Sequence, residues 1–316
     1  MVFCIRRNEI EKYSIVIPVF NSNKTLETLY NCLISVFESI TEDFEIIFVD
    51  DGSIDNSWEI LEKLYEKDKK VKIIQLMRNF GQHNALMCGF SLANGEYIIT
   101  LDDDLQNPPE EIPKLIDKIK QGYDIVYGEY ISKKHKWFRN IGSSFIQMVY
   151  KKIFNVSHNL TSFRIIKKEL IKQILNYNKN YTFVDGLIAW NTKNIGVCNV
   201  SHNKRLDGKS GYNIKKLLTL AFNLITNFSI FPLQIVSILG FSFAILGFIM
   251  GIIFFLKKII FDIPITGYTS LIISITLFSG IQLITLGFIG EYIGRIHLNI
   301  NQKPQYNIRQ IKINEK

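Results

Sequence analysis

Two long stretches of this 316-residue chain lack any charged residue: 217–256 and 263–290. Each exceeds the ~20 residues an α-helix needs to cross the hydrocarbon of a bilayer. Residues 233–256 alone would reach ~36 Å at ~1.5 Å per residue. The missing charge argues against a transporter, whose spans carry ionisable groups along a pathway. It also argues against two core helices of a soluble protein. Cysteine is scarce: Cys4, Cys32, Cys88 and Cys198 have neither disulfide nor metal-ligand spacing. That excludes a disulfide scaffold and suits a reducing compartment. Internal repeats and low-complexity segments are absent. The first 12 residues are too few and too charged for a secretory leader, so none is expected.

What is present is apolar mass and positive charge. Hydrophobic residues make up 47% and the net charge is +8. Glycines at 240, 247, 251, 280, 287 and 290 suit close helix packing in lipid and permit a homo-oligomer. With two spans, both ends are expected on one side. The N-terminal part and the residues after Glu291 (Arg295, Lys303, Arg309, Lys312, Lys316) are basic, which places them in the cytoplasm. Lys257 and Lys258, in the short loop, pull weakly the other way. Beside two spans, the positive charge fits an anionic membrane surface or a phosphate-bearing substrate better than a nucleic acid.

Residues 13–130 alternate apolar β-branched runs with segments of helical spacing. Strands are expected at 13–19, 44–49, 71–76, 97–101 and 124–130. Helices are expected around Leu26 to Ile40, Trp58 to Leu64, 85–93 and Ile112 to Ile119. This alternation predicts an α/β fold with a doubly wound, mainly parallel sheet. Beyond 130, Lys133, Lys134, His135, Lys136 and Arg139 introduce a helix carrying Trp137, Ile141, Phe145, Met148 and Ile153. It reads equally as an interfacial helix or as a surface helix packed on the sheet. Further helices are expected at 167–177 and 213–228. The expected organisation is an α/β domain at 1–212, a juxtamembrane amphipathic helix at 213–230, two spans within 231–295 and a tail at 296–316.

The strand ends carry the chemistry. Leu-Asp-Asp-Asp-Leu-Gln (101–106) follows a strand and precedes Asn107, Pro108, Pro109, Glu110 and Glu111, a helix start with Asn107 as its cap. Three carboxylates and an amide thus sit at the carboxyl end of a strand, where open α/β sheets bind ligands. Like charges this close repel, and a cation would neutralise them. Ile-Pro-Val-Phe-Asn (17–21) ends the first strand, and Val-Asp-Asp-Gly-Ser (49–53) ends the second, with Asp55 beyond. Arg-Asn-Phe-Gly-Gln-His (78–83) follows the third; a histidine there is more often structural than catalytic.

In this order, these segments resemble the inverting family-2 glycosyltransferases of GT-A fold. With two C-terminal spans and Gly-Glu-Tyr-Ile-Gly-Arg-Ile (290–296), the chain is similar to the polyprenyl-phosphate branch, relatives of dolichyl-phosphate mannose synthase. Asn-Phe-Gly-Gln-His and Leu-Gln-Asn-Pro-Pro-Glu-Glu-Ile-Pro resemble the undecaprenyl-phosphate aminoarabinose transferases. The likeness implies a metal-dependent, inverting hexosyl- or pentosyltransferase at the cytoplasmic face of the bacterial inner membrane. Its donor would be a nucleotide-sugar, UDP-linked, and its acceptor a polyprenyl phosphate.

The resemblance also implies roles. Pro18, Val19, Phe20, Asn21, Asp50, Asp51, Arg78, Asn79, Asp102, Asp103 and Arg205 would bind the nucleotide-sugar. Asp102, Asp104 and Gln106 would hold Mg²⁺ or Mn²⁺. Asp104, Arg139 and Arg164 would act in catalysis, the arginines by holding phosphates. Gly208 and Ser210 would let the loop at 201–212 close. Two positions depart from the family. Ser22 stands where relatives often have an acid. No acid occurs at 158–163, where many relatives carry an aspartate before the arginine matched by Arg164. Processive polysaccharide synthases share the fold, but their Gln-x-x-Arg-Trp motif is missing. A non-catalytic membrane scaffold would not need the intact 102–106 set. The sugar stays open among glucose, galactose, N-acetylhexosamines and 4-amino-4-deoxyarabinose.

Overall fold

The structure is a computed structural model. It describes residues 12–41, 43–130, 148, 150–154, 156, 159, 161–179, 181–203, 219, 222, 223, 225–261, 267–301 and 303–314. The expected helix at 133–153 lies outside these residues except for 148 and 150–153, which are helical. Of the one at 213–228, only 219, 222, 223 and 225–228 are described, also as helix. The chain divides into two compact units, Met1–Leu217 with Gln302–Lys316, and Leu218–Asn301.

The first unit is built on an eight-stranded sheet. Its strands are β1 (Tyr13–Val19), β2 (Phe44–Asp50), β3 (Val71–Leu76), β4 (Tyr97–Thr100), β5 (Ile125–Tyr130), β6 (Arg164–Lys167), β7 (Ile195–Val200) and β8 (Ile308–Lys312). They lie in the order β7-β5-β6-β4-β1-β2-β3-β8. Strands β1 to β4 are mutually parallel, β5 and β7 run with them, and β6 and β8 run against. β1 and β2 are buried at every residue. That is expected of parallel strands covered on both faces.

The helices explain the covering. In α1 (Leu26–Glu38), Leu26, Leu29, Tyr30, Leu33 and Phe37 are buried, a stripe at helical period. α2 (Ser57–Lys67), α3 (Gln82–Leu92) and α4 (Ile112–Ile119) follow β2, β3 and the β4 loop. α5 (Lys168–Leu175) falls within the expected 167–177, and α6 (Val184–Asn191) precedes β7. Chain order leaves β1 toward β2 on one side and toward β4 on the other. The β1/β4 boundary is therefore the switch point, where the loops after two neighbouring parallel strands diverge and open a crevice.

β8 was not foreseen. The segment 296–316 reads as a tail because Ile-Arg-Gln-Ile-Lys holds no apolar run. In the structure it pairs antiparallel with β3, Ile311 opposite Ile74. Asn307 O accepts the Met77 N–H at 2.9 Å. The strand covers the otherwise open edge of β3, which supplies the pairing that its own composition does not advertise.

The second unit contains α7 (Phe231–Phe261) and α8 (Tyr268–Ile300). Segments Phe231–Ile253 and Leu277–Ile300 are long and apolar enough to cross a membrane, and protein covers neither. Phe248 and Leu283 are 72% and 70% exposed. Such surface is stable against lipid and costly against water. At the far end of α8, Arg295 donates to Glu291 Oε1 at 2.6 Å and to Asn223 Oδ1 at 3.1 Å, so its charge is paired where the apolar stretch ends.

Candidate active site

The loops after β1, β2 and β4 meet beside the switch point, and hydrogen bonds knit them together. Asp103 turns back from the β4 loop into the β1 loop. Its Oδ2 accepts the Phe20 N–H at 3.0 Å and the Ser22 hydroxyl at 2.5 Å. Thr25 donates to its carbonyl at 2.6 Å. Ser22, the departure from the family acid, therefore clamps an acid. With Asp103 held inward, its neighbours Asp102 and Asp104 flank it at the strand end.

Asp102 is held differently. Gln82, at the start of α3, donates to Oδ1 at 2.6 Å, and Ser162 donates to Oδ2 at 2.5 Å. Asp104 Oδ1 accepts the Gln106 N–H at 3.1 Å. Burial raises Asp102 above the usual carboxylate range, and the nearby Asp104 charge adds to that. Burial likewise pushes Asp103 up to about 6, its hydrogen bonds opposing. Among the described residues, no lysine or arginine forms an ion pair with Asp51, Asp102 or Asp103. Carboxylates crowded at one strand end attract a cation or hydrogen-bond donors. Among the described residues, no three His, Cys, Asp or Glu side chains form a metal cluster. The adjacent donors at 102, 104 and 106 are two carboxylates and an amide, all hard oxygen ligands.

The β2 loop is a scaffold for its neighbours. Asp51 accepts the N–H groups of Phe80 and Gly81 at 2.7 and 2.8 Å. It is nearly inaccessible, and burial pushes it up to about 6. Asp50 is fully buried and takes the Ser53 N–H at 3.0 Å and the Gln75 amide at 3.3 Å. Asn21 has φ +54° and accepts the Ile54 N–H at 2.9 Å. Gly52 has φ +71°, and a Cβ there would stand 2.6 Å from the Arg78 carbonyl carbon. Only glycine allows that approach. Gly52→Ala is expected to cost ~1–3 kcal/mol, read as a lowered thermal unfolding midpoint, by pushing the Arg78–Asn79 backbone away.

Several expected contacts change meaning. Pro18 and Val19 are buried at the end of β1 from which the loop departs. Asp50 and Asp51 spend their oxygens on backbone and side-chain donors of the fold. Phe20 is 47% exposed at the rim, and Arg78 stacks on the Phe80 ring at 4.5 Å. Asn79 is exposed beside it. Arg164 was expected to hold a phosphate. Its guanidinium is buried, ion-paired with Asp185, because β6 lies in mid-sheet between β4 and β5. Asn107 was expected to cap a helix. The turn at Pro109–Glu111 follows Pro108 with no side-chain cap, and the Asn107 side chain accepts the Tyr130 hydroxyl instead. His83 is structural: Nδ1 accepts the Val184 N–H at 3.4 Å, Phe183 packs edge-on, and burial lowers it to about 4. Arg139, Arg205, Gly208 and Ser210 lie outside the described residues.

Sequence reading missed Thr25, Gln82, Ser162 and Asp185. Only Gln82 stood inside a recognised motif. The others are ordinary residues whose partners are distant in the chain.

The chain is similar to known glycosyltransferases. The glycosyl transferase family 2 profile matches residues 14–177. The chain is 34% identical over 308 residues to the undecaprenyl-phosphate 4-deoxy-4-formamido-L-arabinose transferase of Photorhabdus laumondii, covering 96% of this chain and 95% of that protein. It is 35% identical over 311 residues to the transferase of that name from Shewanella sediminis, with coverage of 97% and 94%. The solved glucosyl-3-phosphoglycerate synthase of Mycobacterium tuberculosis, crystallised with Mn²⁺, UDP and glucosyl-3-phosphoglycerate, is similar in fold. Its TM-score is 0.51 at 15% identity, over 68% of this chain and 78% of that one.

Proposed function

Because the chain belongs to glycosyl transferase family 2, we propose that it moves one sugar from a UDP-linked donor to undecaprenyl phosphate, with inversion at the anomeric carbon. It is a membrane glycosyltransferase of GT-A fold. Support for the acceptor comes from relatives about one-third identical over nearly the whole chain, together with two helices suited to lipid. The observation that carries the site is the split of the acidic run. Asp103 is drawn into the β1 loop by Phe20 and Ser22, leaving Asp102 and Asp104 on either side of it at the crevice.

Asp102, Asp104 and Gln106 would hold Mg²⁺ or Mn²⁺, whose chemistry is to take up the negative charge of a leaving diphosphate. Phe20 and Asn21, with Arg78 and Asn79 opposite, border the nucleotide. The acceptor phosphate is already an anion, so it needs orientation and no protein base. Its oxygen bonds to the anomeric carbon as the bond from that carbon to the diphosphate oxygen breaks, and UDP departs. The missing acid at 158–163 is consistent with this step. Arg139 and Arg205 are assigned the phosphates, as forked donors. Arg164, paired with Asp185, adds a positive field that favours the ionised form of Asp102. The catalytic unit lies at the cytoplasmic face of the bacterial inner membrane, where nucleotide-sugars are made, and the lipid-linked sugar serves envelope polysaccharide.

Purified full-length protein should be offered a panel of UDP-sugars, including 4-deoxy-4-formamido-arabinose, glucose, galactose and N-acetylglucosamine donors, with undecaprenyl phosphate in detergent. Mass spectrometry is expected to show the lipid gaining a single sugar from one donor class. Free sugar with no lipid product, or chains of several sugars, would refute the assignment.

A further inference from the structure

Tyr130 ends β5, and three segments of the site converge on it. Its hydroxyl donates to Asn107 Oδ1 at 2.6 Å, and Thr161 donates to that hydroxyl at 3.2 Å. The His202 ring stands edge-on, with centroids 4.3 Å apart. Next to Asn107, the Gln106 carbonyl accepts the Asn203 N–H at 3.0 Å. Ser201 donates to Glu111 at 2.8 Å. The residues leaving β7 are thus tied to the loop that leaves β4, with Tyr130 between them.

That loop is strained. Leu105, between Asp104 and Gln106, has φ +58° with its side chain buried in the core. A leucine in the left-handed region persists only where its surroundings over-determine it. On one side, Thr25 holds the Asp103 carbonyl; on the other, Tyr130 and Asn203 hold Asn107 and Gln106. Burial pushes the Tyr130 phenol up to about 12, so it remains a donor at neutral pH. No step of the transfer uses it.

We propose that Tyr130 is a positioning residue whose bond to Asn107 holds the strained Leu105 turn so that Asp104 and Gln106 face one divalent cation, a role that rests on the metal assignment above. Full-length wild type, Tyr130→Phe, Asn107→Ala and the double variant should be titrated with Mn²⁺ in the presence of UDP, free Mn²⁺ being read by its EPR signal. Asp104→Asn is the reference. Tyr130→Phe keeps the ring against His202 and removes only the hydroxyl. Its Mn²⁺ affinity is expected to fall about 10–100-fold, the usual loss when a residue supporting a metal ligand is removed. Its unfolding midpoint should fall by no more than ~4 °C, as for one hydrogen bond in a domain of this size. The double variant should bind no worse than the weaker single, since both remove one bond. Unchanged Mn²⁺ affinity in folded Tyr130→Phe, with affinity lost in Asp104→Asn, overturns the role of Tyr130 and leaves the metal site standing. Unchanged affinity in Asp104→Asn as well overturns the metal assignment itself.

Discussion

Asp104→Asn is expected to lower sugar transfer to undecaprenyl phosphate by roughly 10³-fold, because a metal that neutralises a leaving group contributes several kcal/mol to the transition state. The substitution keeps the shape of the side chain. Its Oδ1 can still accept the Gln106 N–H that Asp104 accepts at 3.1 Å, so the Leu105 turn has no reason to collapse. What is lost is charge next to Asp102, whose proton affinity burial raises and the Asp104 carboxylate raises further. Transfer of labelled sugar into lipid, measured beside the unfolding midpoint, separates lost chemistry from lost fold. A folded variant that turns over at the wild-type rate would remove Asp104 from the reaction.

Asp185→Ala should produce the largest loss of stability. Arg164 and Asp185 form an ion pair inside the protein, with Arg164 only 1% exposed. The Tyr127 hydroxyl donates to the same carboxylate at 3.1 Å. Taking the carboxylate away strands a guanidinium in a medium that solvates it poorly, at a cost of about 3–5 kcal/mol. At ~2–4 °C per kcal/mol for a domain of this size, the midpoint should drop by ~6–20 °C. Replacing both partners, Arg164→Met with Asp185→Leu, should recover most of that loss, since an apolar pair of similar volume needs no counter-charge. A loss under ~1 kcal/mol for Asp185→Ala, read in a urea or thermal melt, would show that water reaches the guanidinium and that the pair is not a buried one.

The strands and helices of residues 13–130 were legible because each is declared by its own residues. A run such as Tyr-Ser-Ile-Val-Ile-Pro-Val (13–19) can satisfy its backbone in a sheet and bury both faces. The α4 stripe of Ile112, Leu115, Ile116 and Ile119 fits only a helix. The spans were legible for the same reason, since length without charge is a local property. The roles of polar residues were less so. Asp103 and Asp104 are identical and adjacent, yet one grips the β1 loop and the other takes the N–H of Gln106 two residues on. Asn107 looked like a cap until β5 placed a phenol within 2.6 Å of it. Arg164 looked like a phosphate clamp until α6 supplied Asp185.

Residue types and their local spacing by themselves determined that this protein has a parallel α/β core, acids at the carboxyl ends of its strands and two helices fit for lipid, because hydrophobic period and turn chemistry act between near neighbours. Strand order was decided only in three dimensions. Placing β6 beside β4, β1 beside β4 and β8 beside β3 brings together groups that are from about 20 to more than 200 positions apart. Which donors each carboxylate takes up depends on those long-range partners, and a linear pattern does not contain them.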